Sequence, residues 1–307
     1  MKIFEGASEI KERLRNPVVT IGNFDGVHVG HQAIFKKVIE RAHQIGGVSV
    51  VYTFDPHPLK VLQPDRFFPL ITSREERAKV IEWAGIEVLI CEPFTKEFAQ
   101  LSTDKFVSDV LCERIQAQEV FIGPDYRFGS GRKGTTDILK SLGKGCGITI
   151  NVLKNVEVDG VEVRSTMIRN YIMEGKVKEA AKFLGRGYTL RGKVVRGMAL
   201  LKEFGIRTAN IEAEKELYPQ SGIFAVKVLL RDDYLKGVLN IGMNPTFPGK
   251  GFSLEVHIMD FNQDIYGSEI ELIFVEKLRD EKKFETPALL VGQIKKDIIQ
   301  ARTVLMS

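Results

Sequence analysis

Short apolar runs alternate with segments of helical periodicity from residue 17 to about residue 153. Residues 18–21 form a β-branched apolar run, and apolar positions between 34 and 42 recur three and four residues apart. The same reasoning predicts strands at 48–54, 87–90, 119–123 and 148–153, and helices starting near 73, at 106–115 and at 136–142. Alternating strands and helices predict a Rossmann-like parallel sheet with helices on both faces.

Asp159-Gly160 separates two Val-Glu-Val runs, which is typical of a hairpin turn, and a helix is expected from Ser165. After residue 187 the alternation of strands and helices ends. Strand-like runs then follow one another without helices, at 223–230, 238–241, 254–258 and 270–275. They predict an antiparallel β-barrel or sandwich closed by a helix at 287–305. We therefore expect an α/β domain at 1–186 and a smaller β-barrel domain with a C-terminal helix at 187–307.

Composition narrows the class of protein only slightly. Apolar residues make up 44% of the chain, charged residues 27%, and the formal charge is +4, as in an ordinary folded protein without a marked preference for nucleic acid or membrane. No apolar stretch approaches the ~20 residues that span a bilayer. Three widely spaced cysteines suggest neither a disulfide framework nor a zinc site, which favours a reducing cytoplasm. The oligomeric state expected is a monomer or a weak homo-oligomer.

The most informative segment is residues 22–31, here called the glycine–histidine segment, which reads GNFDGVHVGH. It follows a predicted strand and opens a helix, where backbone N–H groups and the helix dipole favour phosphate. Its glycines allow close backbone approach, and His28 and His31 place two imidazoles on one side of the turn. The competing interpretations are a plain tight turn with surface histidines, or a metal site, although no cysteine or acidic cluster lies nearby to complete one.

Further blocks follow in order, TFDPHP at 53–58, GPDYRFG at 123–129 and RSTMIR at 164–169. Together with the glycine–histidine segment they resemble the nucleotidyltransferase domain of the bifunctional riboflavin kinase/FMN adenylyltransferase family. The resemblance implies transfer of an adenylyl group from ATP to FMN, which yields FAD and pyrophosphate.

The resemblance also assigns expected roles to residues of the first domain. His28, His31 and Arg169 would act on the ATP phosphates as catalytic residues. His57 and Phe128 would contact the flavin. The remaining ATP-binding residues would be Gly22, Asn23, Phe24, Asp25, Gly26, Gly30, Asp125, Arg127, Ser165 and Thr166. Read alone, Ser165 and its neighbours would more often be a plain helix start, and His57 a part of a rigid loop between prolines.

From about residue 188 to the end, the chain resembles the riboflavin kinase domain of the same family. The matching blocks are GVLNIGMNPTF at 237–247, LEVHIMDFNQDIYG at 254–267 and LRDEKKF at 278–284. The resemblance implies that Glu255 is the catalytic base, that Thr208 and Asn210 hold ATP and Mg²⁺, and that Arg279 and Phe284 bind flavin. Taken alone, Glu255 would more often be a solvent-facing carboxylate.

Two departures from the family pattern concern the kinase half. Arg207 stands where the family has proline, and residues 198–202 (MALLK) stand where it has a glycine- and arginine-containing loop. They leave open a second hypothesis, in which the second domain is a flavin-binding regulatory module with weak or no kinase activity. A nucleotidyltransferase acting on another phosphorylated acceptor is the third, since the glycine–histidine segment alone does not select the acceptor.

Overall fold

The computed structural model describes residues 1–197, 204–242 and 252–306. The chain folds as two compact units, Met1–Ser165 and Thr166–Ser307. This division lies upstream of the expected domain boundary between 186 and 187, which stays a prediction. The unusual loop at 198–202 falls outside the described residues.

The first unit is built on a six-stranded sheet in which every neighbouring pair is parallel. The strand order is β1-β4-β3-β2-β5-β6, which confirms the expected Rossmann-like architecture. The strands are β1 (Lys2–Phe4), β2 (Val18–Ile21), β3 (Ser49–Asp55), β4 (Val88–Pro93), β5 (Glu119–Ile122) and β6 (Thr149–Val152).

Helices connect these strands. They are α1 (Val29–Gln44), α2 (Pro58–Leu62), α3 (Arg74–Trp83), α4 (Lys96–Ala99), α5 (Thr103–Lys105) and α6 (Thr136–Gly145). α3 starts with the expected capping box of Ser73 and Glu76. The helix expected at 106–115 is present at Phe106–Arg114, but it is a π-helix that continues from α5. Two short 3₁₀ turns lie at Ala7–Glu9 and Ser130–Arg132.

Alternate side chains of the sheet enter separate cores on its two faces. Val19 and Tyr52 lie in one buried cluster, whereas Val18 and Val51, their neighbours along the strands, lie in the other. Helix α1 contributes Phe35 to the second cluster. Because both faces are covered, the central strands are mostly apolar and do not alternate with polar residues.

The point at which the strand order changes direction locates the site. β2 pairs with β3 on one side and with β5 on the other. In open α/β sheets, ligands bind beyond the carboxyl ends of the strands at this switch. The two segments that leave these ends begin at Gly22 and Gly123, which open the glycine–histidine segment and the GPDYRFG block.

The expectation of no disulfide is wrong for two of the three cysteines. Cys112 and Cys146 are joined, while Cys91 is buried and unbonded. The partners are 34 residues apart in sequence, and only the packing of the π-helix against α6 brings them together. Sequence spacing does not reveal such a contact.

The hairpin and helices that precede the barrel are β7 (Glu157–Val158), β8 (Val161–Glu162), α7 (Ser165–Met173) and α8 (Val177–Leu184). Asp159 and Gly160 both have positive φ, of 54° and 75°, as the expected type I′ turn requires. The helix starts at Ser165 as expected.

The second unit contains a closed antiparallel barrel of order β10-β13-β12-β11-β14-β9. Its strands are β9 (Thr189–Val195), β10 (Ala209–Ala213), β11 (Gly222–Leu230), β12 (Asp233–Gly242), β13 (Ser253–Ile258) and β14 (Glu269–Arg279). The chain ends in α9 (Pro287–Val304), which packs on β11, β12 and β14. Of the two expected arrangements, the barrel is therefore correct. Among the helices of the described ranges, none has the length and apolarity needed to cross a membrane.

Candidate active sites

The glycine–histidine segment forms the connection from β2 to α1, and each glycine has a distinct steric reason. A Cβ on Gly22 would lie 2.9 Å from the Phe24 ring, and a Cβ on Gly30 would lie 3.1 Å from the His28 ring. Gly26 alone of the three has positive φ, at 82°. Two of the glycines therefore make room for side chains of the segment itself, in addition to the close backbone approach expected from sequence.

The backbone of this segment is held in sparsely populated conformations. Phe24 has φ of 51° and Val27 has φ of 39°, although both carry a Cβ and Val27 is β-branched. Both side chains are almost completely buried in the core of the sheet. The surrounding packing therefore fixes a turn that the local sequence would not adopt by itself.

The two histidines lie together, as the sequence predicts. Their ring centroids are 3.5 Å apart and the planes differ by 18°. His28 is the N-cap of α1, and its Nδ1 accepts a hydrogen bond from the backbone N–H of His31 at 3.3 Å. Since Nδ1 accepts, the proton of the His28 ring is on Nε2.

The surroundings of His31 keep its ring uncharged. Its Nδ1 is buried and has no hydrogen-bond partner among the described residues. Burial, and secondly the proximity of His28, hold the pKa of His31 well below its usual range. The ring is therefore neutral at pH 7, and it can donate only one N–H to an anion.

Buried polar groups support the segment from behind. The carboxylate of Asp25 accepts backbone N–H groups from Ile71 at 2.9 Å and Thr72 at 3.2 Å, and the Thr72 hydroxyl accepts the N–H of Gly26 at 3.0 Å. The hydroxyl of Ser165 donates to the backbone carbonyl of Asp25 at 2.9 Å. The structure thus brings the fourth block onto the first through Ser165.

Arg77 is a second support, which the sequence pattern did not single out. It is buried, and it donates to the carbonyls of Asn23 at 3.2 Å and Phe54 at 3.1 Å. Phe24 packs edge-on against His31 with ring centroids 5.1 Å apart. The structure therefore gives Phe24 and Asp25 supporting positions, and their direct contact with ATP stays a prediction.

A cavity of about 520 Å³ opens beside the segment, within the first unit. It is lined by Gly22 and Asn23, by parts of α2, and by the third block from Asp125 to Gly129. One wall is a set of mutually contacting aromatic rings with centroids 5.5 to 6.4 Å apart. These are Phe54, Phe94, Phe98, Phe106, Tyr126 and Phe128.

The expected residues of the third block do line this cavity. Asp125 is exposed and lies 3.6 Å from Arg164, while Arg127 is exposed at the mouth. Phe128 is buried and stacks with Tyr126 at an interplanar angle of 14°. Burial raises the pKa of Tyr126, so its hydroxyl stays protonated.

His57 supports a helix beside the cavity. It is buried, it is the N-cap of α2 through a 3.2 Å hydrogen bond from Leu59 N–H, and its ring packs on Phe68. Its neighbours Pro58 and Leu59 line the cavity, whereas His57 does not. The geometry gives His57 the role of holding α2, and flavin contact by its side chain stays a prediction.

Thr166 and Arg169 lie on α7, in the second unit. Thr166 is exposed and Arg169 is buried. Both follow Ser165 on the same helix, and their predicted action on ATP phosphates stays a prediction.

In the barrel, the strand register aligns polar residues from several strands. Glu255 of β13 faces Asn210 of β10 on one side and Asn240 of β12 on the other. Asn240 in turn faces Ile223 of β11, which faces Arg279 of β14. Directly opposed residues project from the same face of a sheet. We call this alignment of five residues the cross-strand row.

The row combines buried oxygens with a perturbed carboxyl group. Asn210 is 4% exposed, and its Oδ1 has no hydrogen-bond partner among the described residues. The Oδ1 of Asn240 is likewise buried and unpartnered within that part of the chain. Burial raises the pKa of Glu255, as expected for a carboxyl group with restricted access to water.

A second cavity, of about 350 Å³, lies at one end of the barrel. Thr208 lines it, together with Arg207 and with residues 261–266 of the LEVHIMDFNQDIYG block. The Arg207 guanidinium donates to the Asn262 side chain, and its carbonyl contacts Nδ1 of His257 at 2.8 Å. The residue that replaces proline therefore links His257 of β13 to Asn262 in the loop that follows that strand.

Arg279 and Phe284 lie at the other end of the row. The guanidinium group of Arg279 is 5.9 Å from the Phe284 ring, and it forms a two-point ion pair with buried Asp297 at 2.9 and 2.7 Å. Gln293 also donates to Asp297 at 2.8 Å. The structure thus brings together the two expected flavin-binding residues and fixes them through α9.

Comparisons with known proteins match each half of the chain to a family. A family model described as FAD synthetase matches residues 10–167, and one described as riboflavin kinase matches residues 184–305. A crystal structure described as a macrolide-efflux protein from Streptococcus pneumoniae aligns with a TM-score of 0.90 and 33% identity, and 98% of each chain is covered.

Two curated relatives span almost the whole chain. The bifunctional riboflavin kinase/FMN adenylyltransferase of Pseudomonas fluorescens is 34% identical over 305 residues, which cover 99% of this chain and 98% of that protein. The protein of the same name from Escherichia coli K12 is 33% identical over 304 residues, with 98% and 97% covered. The chain therefore belongs to the bifunctional riboflavin kinase/FMN adenylyltransferase family, and it is an enzyme with an FAD synthetase domain followed by a riboflavin kinase domain.

Proposed function

We propose that the parallel-sheet unit performs ATP:FMN adenylyl transfer with the glycine–histidine segment and the adjoining aromatic cavity. The single observation that supports this most is their continuity, since Gly22 and Asn23 line the same cavity as the aromatic rings. A planar isoalloxazine ring packs well on aromatic side chains, and a triphosphate suits N–H donors at the start of a helix.

The reaction requires no covalent enzyme intermediate. A phosphate oxygen of FMN attacks the α-phosphorus of ATP, a new P–O bond forms, and the bond to the β-phosphate breaks, which releases pyrophosphate. His28 and His31 donate N–H groups to the phosphates, and Arg169 is expected to neutralise phosphate charge, as the family resemblance implies. The Ser165 hydroxyl, which donates to the carbonyl of Asp25, holds the start of α7 against the glycine–histidine segment. Preorganised donors of this kind stabilise the charge that develops in the transition state.

The barrel, in this proposal, transfers the γ-phosphoryl group of ATP to riboflavin. Glu255 accepts the proton of the terminal ribityl hydroxyl as its oxygen attacks the γ-phosphorus, and ADP leaves. ATP occupies the cavity lined by Thr208, and the flavin lies toward Arg279 and Phe284. The order of the cross-strand row agrees with this, since Glu255 separates Asn210 from Arg279.

Mg²⁺ fits the residues at the Asn210 end. An amide oxygen that is buried without a partner among the described residues suits an oxygen-seeking cation, and Thr208, two residues before Asn210, lines the second cavity. When bound, Mg²⁺ would neutralise phosphate charge. Thr208 and Asn210 would hold it.

One assay tests both activities. Purified protein is incubated with ATP, Mg²⁺ and either riboflavin or FMN, and the flavins are separated by chromatography. We expect FMN and FAD from riboflavin, and FAD from FMN. FAD from FMN without FMN from riboflavin would overturn the kinase proposal and favour a flavin-binding regulatory barrel. That second hypothesis comes from Arg207, which stands in place of proline and contacts Asn262 in the cavity. No product from either flavin would overturn both.

We further propose that the protein works in the cytoplasm as a monomer or a weak homo-oligomer, with ATP and flavins as its ligands. We assign the protein to the cytoplasm because ATP, the proposed substrate of both sites, is available there. Thiol quantification of protein isolated under non-reducing conditions tests it against the Cys112–Cys146 bond, and a fully oxidised pair would count against this location.

A further inference from the structure

Asn240 has no role in the family resemblance, yet it occupies the centre of the cross-strand row. It lies directly opposite Glu255 on one side and Ile223 on the other. The residues before and after it, Leu239 and Ile241, are buried in the barrel. Because side chains alternate along a strand, Asn240 is on the opposite face, the same face as Glu255.

The side chain carries an unmet hydrogen-bonding requirement. Its Oδ1 is buried and has no partner among the residues that the structure describes. A buried acceptor without a donor costs free energy that folding does not recover, and such groups are uncommon in native structures. The most direct explanation is a donor that arrives with a ligand.

The position of Asn240 indicates which ligand. Asn210 lies on one side of Glu255, two residues after Thr208, which lines the cavity proposed for the nucleotide. Asn240 lies on the other side of Glu255, toward Arg279 and Phe284. A ligand group next to Asn240 therefore belongs to the molecule whose hydroxyl meets Glu255.

Gly242, two residues along β12, lies on the same face of the strand as Asn240. A Cβ there would lie 3.4 Å from Nδ2 of Asn240 and 3.2 Å from Oε1 of Glu281, so a side chain at this position would crowd the Asn240 amide.

We propose that Oδ1 of Asn240 accepts a hydrogen bond from a hydroxyl group of the ribityl chain of riboflavin. This inference rests on the proposed kinase function and extends it. The bond sets the position of the polyol chain along the barrel, so that its terminal hydroxyl meets Glu255. Asn240 is then a substrate-binding residue that recognises the chain, whereas Arg279 and Phe284 lie at the ring end.

The experiment compares riboflavin with lumiflavin, which has the same ring system without the ribityl chain. Asn240→Leu keeps the approximate size and removes the acceptor. Equilibrium binding is measured with ADP and Mg²⁺ present. We expect the Kd of riboflavin to rise roughly tenfold, as for the loss of one hydrogen bond to a buried group, and the Kd of lumiflavin to stay unchanged. Exposed Gln300→Leu, the same amide-to-aliphatic change, is the matched control.

Riboflavin analogues lacking one ribityl hydroxyl each identify the donor. The analogue without the bonded hydroxyl should bind the wild type and Asn240→Leu equally well. Circular dichroism checks that the variant barrel is folded, and Asn240→Ala replaces Asn240→Leu if it is not. In a folded variant, lumiflavin binding reports the ring contacts alone.

Three results would overturn the proposal. They are an unchanged Kd for riboflavin, an equal loss for lumiflavin and riboflavin, or a loss that excess Mg²⁺ restores, which would make Asn240 a cation ligand instead. Failure of the kinase proposal is recognised separately, because the wild-type protein would then form no FMN from riboflavin.

Discussion

The two units assemble their sites in opposite ways. In the parallel-sheet unit, the candidate site combines contiguous segments that leave the carboxyl ends of β2 and β5 with aromatic rings from other elements, so two blocks of sequence are also blocks of the candidate site. In the barrel, adjacent strands each contribute one residue to the cross-strand row, and the residues between them face the core. Sheet architecture thus determines whether a site is visible as a motif or is distributed through the sequence.

The largest effect that can separate the two sites is expected from Glu255→Gln. The amide keeps the shape of the side chain but cannot accept the proton, so kinase activity should fall about 10²- to 10⁴-fold. Formation of FAD from FMN should be unchanged, because Glu255 has no part in the proposed adenylyl transfer. Separate assays with riboflavin and FMN measure this. Equal losses in both assays would contradict the independence of the sites.

The reciprocal change is His28→Asn. Asparagine preserves the N-cap of α1 while it removes the imidazole donor. We expect adenylyl transfer to fall about 10²- to 10³-fold, as for the loss of one preorganised donor, with kinase activity retained. An unaffected rate of FAD formation would exclude His28 from the phosphate site.

Gly30→Ala tests whether the segment depends on the placement of the His28 ring. The new Cβ would lie 3.1 Å from two atoms of that ring, which must shift. We expect a loss of roughly tenfold in adenylyl transfer, since small displacements of catalytic groups are costly. Gly145→Ala, where a Cβ meets nothing within 4 Å, is the matched control and should have no effect. Equal rates for both variants would show that the ring position is not critical.

The smallest effect concerns stability and pH. The pKa of His31 in the folded protein lies well below 6.5, the ordinary value that the histidine has in the unfolded chain. Near and below pH 6.5, the unfolded chain therefore binds more protons than the folded one. The free energy of unfolding should therefore decrease as the pH falls below that value, by at most about 1.4 kcal/mol per pH unit. Denaturant unfolding of the wild type and His31→Gln from pH 7.5 to 5 measures it. Identical slopes would show that His31 does not titrate abnormally.

Much of the fold followed from local patterns. Long amphipathic segments and the capping box predict α1, α3 and α9, and the Asp159-Gly160 pair predicts the hairpin. The strands β9 and β10 were not predicted, because their short polar-interrupted runs depend on barrel partners for stability. Register and closure are long-range properties that no local window contains.

The candidate sites divide in the same way. The sequence located His28, His31 and Phe128, which lie in recognisable blocks. It missed Arg77, because a buried arginine in the pattern of α3 looks like any surface helix residue until the carbonyls of Asn23 and Phe54 are placed beside it. It also missed the aromatic wall, whose rings come from separate elements, although Phe94 and Phe98 stand four residues apart.

The aligned amides and carboxyl group of the barrel have a consequence for tolerance to changes in chain length. Inserting or deleting a single residue early in β12 would turn Leu239 or Ile241 toward Glu255 in place of Asn240, even if the ladder re-formed completely. A loop beside a parallel sheet can change length without inverting its strands. We therefore expect the loops at the edge of the parallel sheet to tolerate insertions and deletions. The barrel strands that carry the cross-strand row should not tolerate them, because a shift by one residue moves each side chain to the opposite face.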